Sequence, residues 1–440
     1  MVRLRFLMSA VFSLIAAAIV SGYLAGAAAA DAVVTNDVAK SARLHELTVD
    51  TDAFTEPTKL HVFLPTGYDD DPDRRWPVTY SLAGVQNNYD SFAKVLRGES
   101  LTADYPSIVV SPDGNSGWWS DWYNFGEGGA PKYETFVIDQ LIPLIDARYR
   151  TEGDRAHRAI MGISMGGYGS MSLAARHPDL FGSAATMSGA VDSNLPLISA
   201  SLSLTSTFDG GRINAVNGNW LTQAVRWHGK NPTDLASNLR GMDVQVRTAN
   251  GNINTSIGEG DTIDDYVSCV VEAGVYQGSV SFNAKLDSLG VDHLWKDYGA
   301  GCHTRENFTR ELLATMAVFE GNFANPAPDP ATFDYKTIES DFDIWGWSIK
   351  ADLRRAVEFM RVWGGENTLT LKGSGTTSVI SPPIYGDYDL VNVNGVGVAP
   401  DADGRIHFNV NLGSPHWIQA YTLFAPSDYR TITVNIEPQT

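Results

Sequence analysis

Between residues 41 and 322 the spacing of apolar positions changes repeatedly between two periods, and the changes mark the elements. LHELTVD (44–50) and KLHVFLP (59–65) alternate apolar and polar residues between polar turns, which predicts strands. VTYSL (78–82) and SIVVS (107–111) are instead short and almost continuously apolar. That pattern suits strands covered on both faces of a mainly parallel sheet. In KYETFVIDQLIPLIDARYR, Phe136, Ile138, Leu141, Ile142 and Ile145 recur at helical spacing. Residues 158–163 then predict a strand, Ser164 a turn, Gly166 to Arg176 a helix, and SAATMSG the next strand. DVQVRTANG and HLWKDYG predict further core strands, separated by the helical VSCVVEAGVYQGSVSFNAKLDSLG. TRENFTRELLATMAVFEGNF predicts a closing helix. Strand and helix in alternation predict an α/β layer fold. Residues 191–240, rich in Asn, Ser, Thr and Gly, read as an insertion over the site.

The pattern changes again at ANPAPDPATFDY, where Pro326, Pro328 and Pro330 alternate and predict a stiff linker over 323–330. Beyond it NTLTLKGSGTTSVISPP, YDLVNVNG, RIHFNVNLG and RTITVNIEP are short strands with turn residues between them. Residues 331–440 are therefore expected to form a small antiparallel β-sandwich, following a first domain over 31–322. At the other end, Arg3 and Arg5 precede an apolar stretch that closes on Ala28, Ala29 and Ala30, the layout of a cleavable secretory signal over 1–30. A soluble chain of the cell exterior or envelope, with no transmembrane segment after processing, is the expectation. The net charge of −19 repels phosphate backbones and argues against a nucleic-acid partner. In an oxidising compartment the two cysteines, Cys269 and Cys302, are expected to be bonded to each other. With no histidine at ligand spacing beside them, no structural metal site is expected, and no cofactor motif is present.

IMGISMGGYGS, residues 160–170, carries G-x-S-x-G between an apolar strand and an amphipathic helix. A nucleophile on so sharp a turn needs neighbours without side chains, and Gly162 and Gly166 meet that need. The amide of Met165, at the start of the helix, is placed to donate to an oxyanion. The second donor should come from the loop after an early strand, and in YSLAGVQNN Gly84 permits close approach while Val85 offers its amide. Chain order then requires an acid after Ser164 and a histidine last. That leaves His228, His293 and His303, of which His303, in the Gly-rich loop YGAGCHTRENF between a strand and a helix, is best placed. For the acid, Glu259, Asp261, Asp264, Asp265 and Glu272 all remain open on spacing alone. Trp118, Trp119 and Trp122 in SGWWSDWY are expected to wall a sugar face or an acyl chain.

Together VVSPDGNSGWWSDWYN, PKYETFVIDQLIPLIDARY, GISMGGYGSMSLAARHPDLFGSAATMSGAVD and GCHTRENF resemble the esterase D-like branch of the α/β hydrolases. Within that branch they are most similar to the secreted mycolyltransferases, the antigen 85 and corynomycolyltransferase group, over roughly residues 41–322. The resemblance implies an α/β-hydrolase fold with an acylated serine at Ser164, a base at His303 and a helical glutamate at Glu272. It also implies an acyl ester or glycolipid donor, with the acyl group passing to a sugar hydroxyl or to water. A Cys269–Cys302 bridge would then tie the element carrying Glu272 to the residue before His303. The trehalose-using members carry an acidic residue and an arginine where this chain has Ala83 and Gln86, and a Ser-Trp pair where it has Thr304 and Arg305. Those departures separate the acyl chemistry from the choice of acceptor. A simple carboxylesterase, or a non-catalytic protein docking cell-wall glycan through the C-terminal domain, is the alternative expectation.

Overall fold

The computed structural model describes residues 32–439, so the expected signal segment over 1–30 lies outside the described residues. Nine strands form the first sheet: β1 (Val33–Ala39), β2 (Leu44–Asp50), β3 (Thr58–Phe63), β4 (Val78–Leu82), β5 (Ile108–Pro112), β6 (Arg158–Ile163), β7 (Ser183–Met187), β8 (Asp243–Thr248) and β9 (Leu294–Asp297). Their order is β1-β2-β3-β5-β4-β6-β7-β8-β9. From β5 to β9 the pairing is parallel, while β1, β2 and β3 are joined to it by antiparallel pairs. β4, β5 and β7 are buried along their whole length, as the nearly continuous apolar runs of β4 and β5 predict. β1 was not anticipated, because VVTNDVA is an exposed edge strand with no buried face to impose a period.

Six helices matter for the site: α1 (Ile142–Arg148), α2 (Met165–Arg176), α3 (Pro196–Thr205), α4 (Ala224–Lys230), α5 (Ile263–Leu289) and α6 (Arg305–Ala324). Successive side chains of a strand point to opposite faces, so β6 sends Ile160 to one layer and Ala159 and Met161 to the other. The first layer packs α1, α2 and the Phe282–Leu286 end of α5; the second packs Leu312, Met316, Phe319 and Phe323 of α6. Each such side chain removed from water stabilises the layer by roughly 1.5–3 kcal/mol. The single helix expected over 132–150 is interrupted by a wide turn at Phe136–Leu141 ahead of α1. The insertion at 191–240 is not irregular throughout, since it forms α3 and α4.

α6 runs to Ala324, so the stiff linker begins later than residue 323. After it, β10 (Phe333–Thr337), β13 (Met360–Gly364), β14 (Thr368–Gly373), β19 (Arg430–Gln439), β16 (Leu390–Val393) and β17 (Val396–Val398) form one antiparallel sheet. β11 (Asp341–Ile344), β12 (Trp347–Lys350), β15 (Thr376–Ile380) and β18 (His407–Asn411) form the other. Val362, Leu371 and Val434 of the first share a buried core with Trp347, Ile349 and Val379 of the second. This sandwich docks on the C-terminal end of α2: the Tyr335 hydroxyl donates to the Arg176 carbonyl at 2.7 Å, and Arg176 bridges Glu134 (2.7 Å) and Glu339 (2.8 Å). With 12 residues in α2, that contact lies about 18 Å along the helix from Ser164.

Candidate active site

β6 ends at Ile163 and α2 begins at Met165, leaving Ser164 alone to turn the chain. It does so at φ 59° and ψ −119°, a region that residues with a side chain seldom occupy. The close neighbours explain why flanking glycines are needed: a Cβ on Gly162 would lie 2.0 Å from the Gly166 carbonyl oxygen, and one on Gly166 would lie 2.0 Å from that of Leu82. The turn is pinned by its own backbone, with the Ser164 amide donating to Met187 O at 3.1 Å and its carbonyl accepting from Ala190 N at 3.1 Å.

His303 sits in the loop between β9 and α6, and its Nδ1 is 2.7 Å from Oε2 of Glu272 on α5. Glu272 is fully buried, and its Oε1 accepts from Ser188 Oγ at 2.7 Å and from the Ala249 amide at 3.0 Å. A carboxylate held on Nδ1 makes that nitrogen the donor and leaves Nε2 as the basic atom. Among the described residues Nε2 has no protein hydrogen bond. Cys269 and Cys302 form a disulfide, which joins α5 one turn before Glu272 to the residue preceding His303. A second brace was not foreseen: buried Glu259 accepts from the Cys302 amide (2.9 Å) and the Thr304 hydroxyl (2.6 Å) through Oε1, and from the Asn254 amide (2.9 Å) through Oε2. Of the other carboxylates in that stretch, Asp265 caps the start of α5.

Ser164, His303 and Val85 line one cavity of about 480 Å³, together with Phe92, Val95, Leu96, Ile163, Val271, Arg305 and Phe308. Gly84 carries the turn after β4 close to Ser164, since a Cβ there would lie 3.3 Å from Ser164 Cβ. Val85 and Met165 follow β4 and open α2 respectively, so their amides sit where neither strand pairing nor the first helical turn uses them. Met165 turns its side chain into the core, where its sulfur accepts from the Trp118 amide at 3.3 Å.

The expectation that Trp118 and Trp119 wall the substrate is corrected. Both are core residues, 2% and 1% exposed, and neither borders the Ser164 cavity. Trp118 Nε1 donates to Thr205 Oγ1 at 2.7 Å, and Trp119 Nε1 to the Ala83 carbonyl at 3.2 Å, with its ring filling the space left by Gly169. They buttress the Ala83–Val85 turn and α2 from beneath. Trp122 is also buried and borders a different cavity, of about 590 Å³, with Asp113, Tyr133 and Asp209. Burial, with Asp209 adding charge, pushes the Asp113 carboxyl up to about 6. The remaining candidate histidines are engaged elsewhere: His228 pairs with Asp234 at 2.8 Å and stacks on Tyr421, and His293 Nε2 is 2.8 Å from Asn283 Oδ1. Glu152, Asp154 and His157 have metal-ligand spacing, but they precede β6 at the edge of the sheet opposite Ser164.

Two further side chains escaped the sequence reading. Ser188, just after β7, has φ 46° and is buried against Glu272; Glu311 on α6 is fully buried beside both. The signal for Glu311 was its place in a polar stripe, Thr304, Asn307, Glu311 and Thr315, on a face of α6 that is buried rather than solvated.

Residues 51–319 match the sequence model of the family described as "Putative esterase". Esterase Rv1288 of Mycobacterium tuberculosis (strain ATCC 25618 / H37Rv) is 31% identical over 240 residues, which is 53% of this chain and 50% of that protein. The diacylglycerol acyltransferase/mycolyltransferase Ag85B of Mycobacterium leprae is 30% identical over 125 residues, 27% of this chain and 38% of that one. The chain thus spans about half the length, or less, of these curated relatives. The crystal structure of MPT51 of Mycobacterium tuberculosis superposes with a TM-score of 0.51 at 21% identity, covering 64% of this chain and 100% of MPT51. An S-formylglutathione hydrolase from Agrobacterium tumefaciens superposes with a TM-score of 0.51 at 14% identity, covering 66% and 99%. At these identities the superpositions speak to the fold, and the α/β architecture expected from the strand and helix pattern is the one they share.

Proposed function

From the premise that the chain belongs to the esterase family, we propose that it is an exported serine esterase or acyltransferase whose nucleophile is Ser164. The observation that carries the reading is the His303–Glu272 pair at 2.7 Å, opening on the cavity that the strained Ser164 turn also lines. His303 Nε2 takes the hydroxyl proton as Ser164 Oγ attacks the ester carbonyl, and the Val85 and Met165 amides donate to the oxyanion. The imidazolium then protonates the leaving alcohol, which departs and leaves an acyl-serine. Water or a sugar hydroxyl, deprotonated in turn by His303, resolves it.

An acyl ester or glycolipid donor is supported by the cavity wall, where Phe92, Leu96, Val271 and Phe308 offer apolar surface. The helices that border it through Ser201 and Val271 also carry exposed Leu197 and Leu204 on α3 and Val267 and Val270 on α5. Export is supported by the disulfide, which suits an oxidising compartment. Among the described residues no helix is long and apolar enough to cross a membrane. For glycan docking by the sandwich, the support is a cleft of about 1100 Å³ between the domains, where Tyr123, Tyr335 and Phe342 stand among Asp121, Asp179 and Asp343. Fluorophosphonate labelling tests the enzymatic reading: an adduct on Ser164 that is lost in His303→Ala is the expected result. Absence of an adduct on the intact protein would leave the non-catalytic alternative standing. Mass spectrometry of an acyl glycolipid incubated with sugar acceptors then separates the two enzymatic outcomes, since release as free acid alone contradicts transfer.

A further inference from the structure

We propose that Glu311 acts as a neutral carboxylic acid that positions Glu272, donating its proton to Ser188 Oγ while Ser188 donates its own to Glu272. The proposal rests on Glu272 being the triad acid, and its first ground is a count of hydrogens. Ser188 Oγ lies 2.7 Å from Glu272 Oε1, its shortest contact, and 3.3 and 3.2 Å from the two oxygens of Glu311. A hydroxyl has one hydrogen and two lone pairs. If that hydrogen goes to Glu272, whatever else surrounds the oxygen must donate to it. An ionised Glu311 would turn an oxygen with no hydrogen toward those lone pairs, in a cluster whose side chains are fully buried.

Asn307 identifies which oxygen of Glu311 carries the proton. Its Oδ1 accepts from Arg310 Nε at 2.8 Å, which orients the amide and directs Nδ2 inward. Nδ2 lies 3.3 Å from Ser188 Oγ and 3.4 Å from Glu311 Oε1. Oε1 is therefore an acceptor, and Oε2, 3.2 Å from Ser188, is the donor. The chain of bonds runs Glu311 Oε2–H to Ser188 Oγ–H to Glu272 Oε1, with Glu272 Oε2 facing His303. The reverse assignment, a protonated Glu272 beside an ionised Glu311, would remove the charge from the one carboxyl that has a histidine partner.

The surrounding charges agree. Glu272 faces Glu311 from α5, Arg247 from β8, and Asn307 and Arg310 from α6 itself. Arg247 is engaged by Gln245 Oε1 at 2.8 Å, the Tyr298 hydroxyl at 3.1 Å and the Ala314 carbonyl at 3.1 Å. Arg310 is engaged by Asn307 and, at 3.0 Å, by the Ala300 carbonyl. Among the described residues no cation makes an ion pair with Glu311, and burial followed by the charge of Glu272 holds its carboxyl well above the ordinary carboxylate range. Ser188 keeps the left-handed backbone that aims its hydroxyl between the two acids, with its amide donating to Arg247 O at 2.8 Å.

The test is the pH profile of p-nitrophenyl butyrate hydrolysis by the whole chain, for wild type, Glu311→Gln and Glu311→Ala. An amide in place of the acid keeps a donor toward Ser188 and cannot ionise. Glu311→Gln is expected to retain kcat within about threefold at neutral pH and to lose an alkaline fall in kcat that wild type shows. Glu311→Ala is expected to lower kcat about tenfold with KM unchanged, the loss of one buried hydrogen bond expressed as a rate. An alkaline limb identical in wild type and Glu311→Gln, or a loss of activity in folded Glu311→Gln, overturns the proposal. Fluorophosphonate labelling of the same proteins separates the levels: wild type that labels on Ser164 and depends on His303 upholds the triad even where the Glu311 variants behave against expectation.

Discussion

Replacing Cys269 and Cys302 together by alanine should cost stability much more than activity, and the two effects can be worked out separately. The bridge closes a loop of 33 residues. The chain-entropy relation for a loop of that size gives about 4 kcal/mol at 25 °C, lost when the unfolded chain is released. Activity depends instead on whether the His303 loop keeps its place without the bond. Three hydrogen bonds to Glu259 and one from the His303 amide to the Ser268 carbonyl at 3.2 Å remain. The Glu272–His303 pair should therefore survive in the folded protein, with kcat/KM for p-nitrophenyl butyrate falling by no more than about tenfold, the equivalent of roughly 1.4 kcal/mol. Urea unfolding of wild type and the double variant, followed by kinetics well below both midpoints, measures the two quantities. A stability loss under about 1 kcal/mol would refute the constraint attributed to the bridge. A fall in kcat/KM beyond about a hundredfold in the folded variant would refute the claim that Glu259 is a sufficient second brace.

Gly166→Ala places a Cβ 2.0 Å from the Leu82 carbonyl oxygen, contact with backbone that cannot yield; insoluble or inactive protein is expected on expression, and a folded, active variant would contradict the elbow geometry. Trp119→Ala should lower stability by about 3–5 kcal/mol with KM for a small ester little changed at low temperature, because Trp119 packs under the Ala83–Val85 turn and not along the cavity; a selective rise in KM with unchanged unfolding would restore the substrate wall. Glu311→Gln should also change how stability depends on pH. Because the folded value of Glu311 is raised, the folded chain holds a proton that the unfolded chain releases above about pH 4.3, so wild type loses stability on that account as pH rises. The advantage of Glu311→Gln over wild type should therefore grow between pH 5 and pH 8, by up to about 1.4 kcal/mol per pH unit, in paired urea titrations; parallel stability curves would count against a protonated Glu311.

Local rules carried the sequence reading a long way for this chain. The buried parallel strands β4 and β5 were legible because a strand covered on both faces is nearly continuously apolar, whatever its neighbours are. Ser164 was legible because a sharp turn with close backbone contacts demands glycines two residues away on either side. His303 followed from chain order and its loop. Glu272 could be chosen among five carboxylates by resemblance alone, since spacing along a helix says nothing about which carboxylate a distant loop will meet. What the tertiary structure decided are the placements that depend on packing between elements remote in sequence. Trp118 and Trp119 look like ligand-binding aromatics in a polar segment, yet they lie beneath the Ala83–Val85 turn because Gly169 on α2 opens a recess for one of them and Thr205 on α3 accepts from the other. Glu259 became a brace, and Ser188 and Glu311 neighbours of Glu272, because buried carboxyl groups must find donors wherever the fold brings them. Periodicity reports how often a residue faces the core, and only the folded arrangement of β7, α5 and α6 determines what it meets there.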